Sequence, residues 1–421
     1  MRRPAVSTMR VLLSSIGSRG DVQPILALAL ELRRLGHQGV LLVAPNFKAW
    51  VESFGLECIP IGPDVEQAST RLTQSGRNGN AIPKPTREQM RQLARHSVRE
   101  QFEASLKAAR GCDLIVAAAA LQTAARSVAE ALEIPHVYAA YCPATLPSPD
   151  HPPPKMRSRI RSQSLPALAN RLLWKLDERS WDGFFLETLN EQRVALGLGP
   201  VRHVPGYVST DRPWLAADPT LGPAARYPSR LNVTQTGAWL LADSSPLPDA
   251  VEEFLAAGEP PIYFGFGSMV ASAQAGPVLV EAARALGRRA IVLQGWAGLK
   301  DAGGAKDCLF VGDINHERLF GRVAAIVHHG GAGTTVAAAR AGKPQVVVPH
   351  HYDQYYWSRR VRKLGIGVAG PPAKGLTART LADAVRACLK PEIVAAARSI
   401  AFRIEIYGAR HTAEQLITEF G

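Results

Sequence analysis

Short apolar runs alternate with longer amphipathic segments along the whole chain. The runs are rich in Val, Ile and Leu, a pattern that predicts strands buried on both faces of a parallel sheet. In the first half they lie at residues 10–16, 40–43, 56–61, 114–118 and 136–140. The segments between them favour helix. Two examples are residues 25–35, where Gly36 stops the helix, and residues 87–110.

The second half repeats this pattern after a break. Its apolar runs begin near residue 261 and continue at 290–294, 308–311, 323–327 and 345–348. The stretch 205–248 between the halves contains seven prolines, and such a stretch between two α/β patterns is typical of a domain boundary. We therefore expect two Rossmann-like α/β domains, residues 1–235 and 236–400, followed by a mostly helical segment at 401–421.

The composition is that of a globular protein, with 46% hydrophobic and 20% charged residues. No stretch reaches the roughly 18 consecutive apolar residues of a membrane-spanning helix. Residues 1–8 lack the apolar segment of a signal peptide, so we expect a cytoplasmic protein. The five cysteines are scattered without a Cys-x-x-Cys pair, which favours neither a disulfide framework nor a zinc site.

The formal net charge of +13 raises the question of nucleic-acid binding. Lys and Arg are spread across the chain, however, and no helix-turn-helix, zinc-finger or RNA-binding signature accompanies them. We therefore expect no nucleic-acid partner. A positive field suits phosphorylated substrates or anionic lipid surfaces better.

Residues 328–335, His-His-Gly-Gly-Ala-Gly-Thr-Thr, join a predicted strand to an Ala-rich helix predicted at 334–341. Glycines at such a junction let main-chain N–H groups approach an anion, and the helix dipole adds roughly half a positive charge. We expect a phosphate or diphosphate here, with a His side chain as a further donor. A tight turn that merely needs glycine is the alternative interpretation.

The loop 17–24, Gly-Ser-Arg-Gly-Asp-Val-Gln-Pro, follows the first predicted strand. Ligands of open α/β sheets bind beyond the carboxyl ends of the strands, so Ser18, Arg19 and Asp21 are expected to project into a cleft. A carboxylate in a partly desolvated cleft can act as a general base that accepts the proton of a hydroxyl group. Asp21 is a candidate for that base, and an N-terminal helix cap is its alternative role.

Asp353 and Gln354 follow the predicted strand at 345–348 and can reach the same cleft. Vicinal sugar hydroxyls suit a carboxylate acceptor together with an amide that both donates and accepts. The pair is therefore a candidate for sugar recognition, and a surface turn is the alternative. Tyr141, just after the predicted strand 136–140, also lies at the cleft.

A basic segment at 155–161 leads into a segment at 165–185 that is rich in Leu and aromatic residues and includes Trp174. This combination has three interpretations: the wall of an apolar acceptor pocket, a helix packed on its own domain, or peripheral contact with an anionic membrane.

These motifs together resemble the nucleotide-sugar-dependent glycosyltransferases with the GT-B fold, in the branch that holds sterol 3-β-glucosyltransferases and actinobacterial antibiotic glycosyltransferases. The resemblance is carried by Gly-Ser-Arg-Gly-Asp-Val-Gln-Pro, by Gly-Phe-Gly-Ser-Met at 265–269, by His-His-Gly-Gly-Ala-Gly-Thr-Thr and by the Asp-Gln pair. It implies two Rossmann-like domains that face each other across a cleft, and a final helix that returns to the N-terminal domain.

The resemblance also implies roles for the residues that match the motifs. Asp21 matches the proposed base, and the region with Ser18, Arg19, Tyr141 and Trp174 matches the acceptor side. The donor-binding matches are Ser268, His329, Gly331, Ala332, Gly333, Thr334, Asp353 and Gln354.

The activity that the resemblance implies is a single displacement with inversion, without cofactor or metal, in agreement with the lack of an Asp-x-Asp motif. We expect glucose from UDP-glucose and a hydrophobic acceptor such as a sterol or a polyketide-type natural product. Ala337 and Val311 stand where many relatives have the ribose-binding Glu and the base-stacking Trp. A TDP-deoxysugar donor is therefore the alternative.

A nucleotide-sugar 2-epimerase could use the same two-domain fold and a similar diphosphate site, and it is the alternative from another class of enzyme. A catalytically silent relative would be expected to lack Asp21 or His329, and both are present. We expect a monomer or a homodimer.

Overall fold

The computed structural model describes residues 8–68, 85–119, 122–157, 165–267, 275–295, 306–373 and 375–421. Within these residues the chain forms two parallel sheets, each covered by helices. The predicted α/β class with two Rossmann-like domains is confirmed.

The first sheet belongs to the N-terminal domain and, in the described residues, has seven strands in the order β3-β2-β1-β4-β5-β6-β7. The strands are β1 Arg10–Ser15, β2 Gln38–Val43, β3 Glu57–Pro60, β4 Leu114–Ala118, β5 His136–Ala140, β6 Trp214–Leu215 and β7 Thr234–Gln235. Leu12 of β1 pairs in register with Val40 on one side and Ile115 on the other. Because β1 and β4 are central, the loops after them meet at the middle of the carboxyl edge.

The helices of this domain connect consecutive strands. They are α1 Arg19–Arg34, α2 Lys48–Glu52, α3 Arg87–Ala108, α4 Ala125–Ala131, α5 Pro154–Arg157, α6 Ala167–Ala195 and α7 Val204–Ser209. Helix α1 packs on one face of the sheet, and α3 and α4 pack on the other.

The second sheet belongs to the C-terminal domain and has the strand order β10-β9-β8-β11-β12-β13. Its strands are β8 Ile262–Gly265, β9 Ala290–Leu293, β10 Cys308–Val311, β11 Ala325–His328, β12 Gln345–Val347 and β13 Gly367–Ala369. The helices that follow β7 are α8 Asp249–Ala256, α9 Ala275–Arg284, α10 His316–Phe320, α11 Ala332–Arg340, α12 Gln354–Lys363, α13 Ala378–Cys388, α14 Pro391–Ala401 and α15 Gly408–Phe420.

Two differences from the sequence prediction matter for the site. The proline-rich stretch 205–248 contributes β6 and β7 to the first sheet, and strands of two residues are too short to give a periodic pattern. Helix α1 begins at Arg19, six residues earlier than predicted, with Pro24 inside it. Pro24 lies near the N-terminus, so it removes only one helical hydrogen bond.

One hydrophobic cluster contains side chains from both domains. Tyr138 and Cys142 from the N-terminal domain share it with Val336, Val347 and Trp357 from the C-terminal domain. Trp357 is 1% exposed, and a Cβ on Gly222 would lie 2.9 Å from its ring. The contact between the two domains is therefore a packed apolar core.

The last helix, α15, packs against α1 of the N-terminal domain, with Ala413 and Leu416 buried in that core. Trp239 Nε1 donates a hydrogen bond of 2.8 Å to Thr412 Oγ1. Gly408 begins the helix, and a Cβ there would lie 2.4 Å from the carbonyl oxygen of Ala238. The end of the chain and the connection after β7 therefore lie side by side.

None of the helices in the described residues is long and apolar enough to cross a bilayer. All five cysteines are buried free thiols.

Candidate active site

Asp21 lies in the first turn of α1, where its carboxylate caps the helix. Asp21 Oδ2 accepts hydrogen bonds from Ser18 N at 2.7 Å and Ser18 Oγ at 3.0 Å. Its other oxygen, Oδ1, has no hydrogen-bond donor within the described part of the chain. The capping role and the proposed role as a base are therefore compatible, because they use different oxygens.

Burial raises the pKa of the Asp21 carboxyl above its ordinary value, although the hydrogen bonds from Ser18 oppose the rise. A raised pKa makes the carboxylate a stronger base. A Cβ on Gly17 would lie 2.2 Å from Asp21 Oδ2, so glycine is required there for the carboxylate to take this position.

Two side chains fix the main chain of Asp21. Ser15 Oγ donates to its carbonyl oxygen at 2.9 Å, and Tyr141 OH donates to the same oxygen at 3.2 Å. Tyr141 packs edge-on against Trp239, with 6.0 Å between ring centroids. Tyr141 thus holds the first turn of α1 and presents only its ring to the cleft.

Arg19, predicted on the acceptor side, spans the two domains. Its guanidinium forms an ion pair with Asp313, which follows β10, and lies 4.6 Å from the ring centroid of Trp50. Both charged groups are largely exposed, so the ion pair adds little stability, but it marks one edge of the cleft.

The two histidines of the Gly-rich turn have different environments. His328 is fully buried at the end of β11, where its Nδ1 accepts from Gly330 N at 3.1 Å and its Nε2 donates to Gln345 Oε1 at 2.9 Å. Burial lowers the pKa of His328 to about 4. His328 is therefore a neutral side chain that holds the turn in shape.

His329 is packed between glycines on either side of the turn. A Cβ on Gly331 would lie 2.6 Å from His329 Nε2, and one on Gly267 would lie 3.3 Å from His329 Cε1. Burial lowers the pKa of His329 to about 3, and the neighbouring His328 adds to the effect. His329 is thus neutral before a ligand binds, and it can act as a hydrogen-bond donor rather than as a cation.

Helix α11 begins at Ala332 with Gly331 as its N-cap. The first bond of the helical ladder runs from Thr335 N to Gly331 O at 3.0 Å. The N–H groups of Ala332, Gly333 and Thr334 are therefore outside the ladder. The predicted helix starts two residues later, but the N–H groups that the phosphate interpretation needs are present.

Asp353 lies directly before α12, and Trp357 Nε1 donates a hydrogen bond of 3.0 Å to its Oδ2. Burial raises the pKa of Asp353 to about 6, and the negative charge of Asp21 contributes to the rise. The carboxylates of Asp21 and Asp353, from different domains, are therefore close enough for the charge of Asp21 to act on Asp353.

The glycine-rich turn at residues 328–335 also lies close to the start of α12. A Cβ on Gly330 would lie 3.1 Å from the carbonyl oxygen of Gln354, and Gly330 has φ +92°. The start of α11 thus lies beside the start of α12. The base candidate, the sugar-binding candidate and the phosphate-binding candidate converge on one region.

Gln354, the predicted partner of Asp353, is 5% exposed. Its Oε1 accepts from His350 N at 2.8 Å and from His351 N at 3.2 Å. The amide oxygen therefore fixes the loop before α12 and is already occupied by two main-chain donors.

Trp174, predicted on the acceptor side, donates from Nε1 to His151 O at 2.8 Å, and the rings of the two residues pack edge-on at 5.9 Å. Trp174 thus anchors the segment after β5 to α6. Ser268, predicted to contact the donor phosphate, lies outside the described residues.

The sequence analysis missed two supporting residues, Gly17 and Trp357. The signal for Trp357 was its position four residues after Asp353, where a helix brings two side chains together. Across the described part of the chain, no group of three His, Cys, Asp or Glu side chains is arranged to hold a metal ion.

Comparison with known families agrees with this geometry. Residues 11–148 match the Glycosyltransferase family 28 N-terminal domain. Residues 307–405 match the Erythromycin biosynthesis protein CIII-like, C-terminal domain. The crystal structure of the glycotransferase of kitacinnamycin superposes with a TM-score of 0.69 at 18% identity, covering 98% of this chain and 99% of that chain. The protein thus has the GT-B fold of glycosyltransferases.

Three relatives from Amycolatopsis orientalis match almost the whole chain. Glycosyltransferase GtfC is 42% identical, with 97% of each chain covered. Vancomycin aglycone glucosyltransferase is 40% identical, again with 97% of each chain covered. dTDP-epi-vancosaminyltransferase is 38% identical, with 93% of each chain covered. The chain therefore belongs to the family of actinobacterial antibiotic glycosyltransferases, and it is an enzyme that uses a nucleotide sugar and a small-molecule acceptor.

The raised pKa of Asp353 predicts a pH-dependent effect of Asp353→Asn on stability. A carboxyl whose pKa is about 6 in the folded state and about 3.9 in the unfolded state destabilises the fold increasingly as the pH rises from 4 to 6. Asparagine keeps an oxygen for Trp357 and removes the charge. The difference of about two pKa units corresponds to about 3 kcal/mol at pH 8, so we expect Tm to rise there by roughly 6–12 °C, at about 2–4 °C per kcal/mol in a medium-sized domain.

Thermal denaturation at pH 4 and pH 8 measures this. The two proteins should have equal Tm at pH 4. The control is Asp383→Asn, which breaks an exposed ion pair with Arg386 and should change Tm little at either pH. A lower Tm for Asp353→Asn at pH 8 would contradict the assignment.

Proposed function

We propose that the protein is an inverting, metal-independent glycosyltransferase that moves glucose from UDP-glucose to a hydroxyl group of a hydrophobic natural product. The proposal rests on the convergence of two carboxylates and a helix N-terminus. Asp21 and Asp353 approach closely enough for the charge of one to raise the pKa of the other. The N–H groups of the first turn of α11, outside the helical ladder, lie beside the start of α12, which Asp353 directly precedes.

The acceptor hydroxyl loses its proton to Asp21 Oδ1 as its oxygen attacks the anomeric carbon. The bond from that carbon to the nucleoside diphosphate breaks at the same time, which inverts the configuration. Burial favours this reaction, because it raises the pKa of Asp21 towards the pH at which the enzyme works. Asp353, on the opposite side, would accept hydrogen bonds from the sugar hydroxyls.

The leaving diphosphate needs its developing charge stabilised. The N–H groups of Ala332, Gly333 and Thr334, the dipole of α11 and a hydrogen bond from His329 can supply this stabilisation. In this mechanism these groups take the part that a divalent cation has in other sugar transferases. Activity should therefore persist in the presence of a chelator.

Two donors have support among the relatives. The name vancomycin aglycone glucosyltransferase favours glucose, whereas dTDP-epi-vancosaminyltransferase favours a TDP-deoxysugar. We take UDP-glucose as the first candidate and a TDP-deoxysugar as the second. For the acceptor, the first of these names favours an antibiotic aglycone, and a polyketide-type or sterol-like alcohol is the wider class.

We also propose peripheral contact with an anionic membrane through one face of α6. Leu168, Leu172 and Leu176 are 77%, 58% and 42% exposed. Exposed Arg171, Lys175 and Arg179 follow each of them by three residues, so basic and leucine side chains are neighbours on the helix. A helix face of this kind binds lipid by burying leucine and by attracting anionic headgroups.

Asp21→Asn tests the base. Asparagine can still accept the hydrogen bonds from Ser18, so we expect the helix cap and nucleotide affinity to persist. Turnover should fall by about 10²–10⁴-fold, the usual effect of losing a general base. Steady-state kinetics and calorimetry with UDP measure both quantities. Unchanged turnover would remove Asp21 from the mechanism.

Thermal stabilisation by UDP, TDP, UDP-glucose and TDP-sugars, with EDTA present, tests the donor site. We expect a rise in Tm with one nucleotide, because a ligand that binds only the folded state stabilises it. His329→Ala should weaken that binding in calorimetry, whereas His96→Ala, at a site 80% exposed, should not. No rise in Tm with any nucleotide would contradict the donor site, and equal affinity of His329→Ala would give His329 a structural role.

Sedimentation with lipid vesicles tests the membrane contact. We expect the protein to bind vesicles that contain phosphatidylserine but not vesicles of phosphatidylcholine alone, and to dissociate in high salt. A variant with Leu168, Leu172 and Leu176 changed to Gln should lose binding. The control Phe402→Gln, at a residue 94% exposed elsewhere, should retain it. Equal behaviour of the two variants would refute the contact.

A further inference from the structure

Tyr352, directly before Asp353, has a strained main chain. Its φ is +54°, in the left-handed region. This region costs a bulky residue roughly 1–2 kcal/mol and is normally occupied by Gly or Asn. Strain of this kind persists only where the surroundings enforce it, and it is concentrated at functional sites.

The loop around Tyr352 is held from both sides. Gln354 Oε1 accepts from the N–H groups of His350 and His351, and Tyr355 OH donates to His350 O at 3.2 Å. Trp357 holds Asp353 on the other side. None of these bonds involves the side chain of Tyr352, so the loop would keep its shape with Gly or Asn at that position.

Tyr352 lies near the place where the two domains share a core, because Tyr138 of β5 and Trp357 of α12 belong to one hydrophobic cluster. Burial raises the pKa of the Tyr352 phenol, and the electrostatic effects of Tyr138, Asp353 and Asp177 add to the rise. Tyr138 is in β5 and Asp177 is in α6, on the acceptor side. The phenol therefore keeps its proton, and residues of both domains act on it electrostatically.

The aromatic residues around this region differ in what their polar atoms bind. Tyr138 OH donates to Ala119 O, Tyr141 OH to Asp21 O and Trp174 Nε1 to His151 O. These three polar groups are committed to main-chain carbonyls, so only the rings remain for a ligand. The Tyr352 hydroxyl, by contrast, makes no hydrogen bond within the described residues.

We propose that Tyr352 binds the acceptor: its ring packs against an aromatic or polycyclic aglycone, and its hydroxyl donates a hydrogen bond to an oxygen of that aglycone. This inference rests on the proposed function and narrows the acceptor class from hydrophobic alcohols in general to ring systems that carry oxygen. Rings of this kind pack well against a wall of tyrosine and tryptophan. The strained main chain directs the side chain towards the acceptor while Asp353 holds the sugar.

The test uses the fluorescent phenol 4-methylumbelliferone as the acceptor probe, with the intact protein. Three variants are compared with the wild type. Tyr352→Phe removes the hydroxyl and keeps the ring, and Tyr352→Asn removes the ring while tolerating the left-handed main chain. The matched control, Tyr407→Phe, removes the hydroxyl of a tyrosine that is 55% exposed and lies directly before α15. Probe binding is measured by fluorescence anisotropy with UDP present, and UDP binding is measured by calorimetry.

We expect the probe Kd to rise about 3–10-fold in Tyr352→Phe, the effect of one lost hydrogen bond, and by more in Tyr352→Asn. UDP affinity should stay within about two-fold in both. Tyr407→Phe should bind the probe as the wild type does. The KM for the probe in sugar transfer should follow the same order, with the KM for the donor unchanged.

Three results would overturn the inference: no probe binding by the wild type, wild-type probe affinity in both Tyr352 variants, or a parallel loss of UDP and probe affinity, which would indicate a merely structural role. Failure of the proposed function gives a different result. In that case the probe and UDP bind to the wild type, the variants behave as expected in the binding assay, and no sugar is transferred from any donor.

Discussion

The hydrogen bond from Trp357 Nε1 to Asp353 Oδ2 joins the stability of the fold to the geometry of the site. The indole ring is buried in the cluster that both domains share, and it packs against the connecting segment at Gly222. A residue that could have been purely hydrophobic thus directs its one polar atom at a carboxylate in the cleft. A movement of one domain relative to the other would therefore change the position of the Asp353 carboxylate.

On the N-terminal side of the site, too, one residue serves both the fold and the chemistry. Asp21 caps α1 with one oxygen and leaves the other free, while Ser15 and Tyr141 fix its main chain. The two carboxylates are each anchored by a single oxygen on a rigid element. Burial raises the pKa of both carboxyls, and the charge of Asp21 adds to the rise at Asp353. Such an arrangement destabilises the unliganded protein slightly and prepares it for a substrate that carries hydroxyl groups into the space between the carboxylates.

The sequence predicts the fold well because buried parallel strands leave a clear signal. β4, β5 and β10 occupy the predicted residues, since each is an apolar run bounded by turn residues. The two-residue strands β6 and β7 leave no such signal. The start of α1 depends on a bond between Ser18 and Asp21 rather than on periodicity, so the prediction was wrong by six residues. The convergence of Asp21 and Asp353 follows from the resemblance, but the strained Tyr352 and the bonded oxygen of Gln354 depend on packing that a sequence pattern does not encode.

The chain crosses between the domains twice, after β7 and again before α15, and the two crossings touch where Gly408 meets Ala238. Glu405 N also donates to Asp218 Oδ2 at 2.9 Å, which adds a further link beside them. Two connections that run side by side form a hinge. Such a hinge favours rotation of the domains about one axis and opposes sliding or twisting. The Arg19–Asp313 ion pair lies outside both connections. It can therefore hold the two domains in the closed arrangement and break when they rotate apart. A pair of spectroscopic labels beside this ion pair would measure how the distance between the two domains changes.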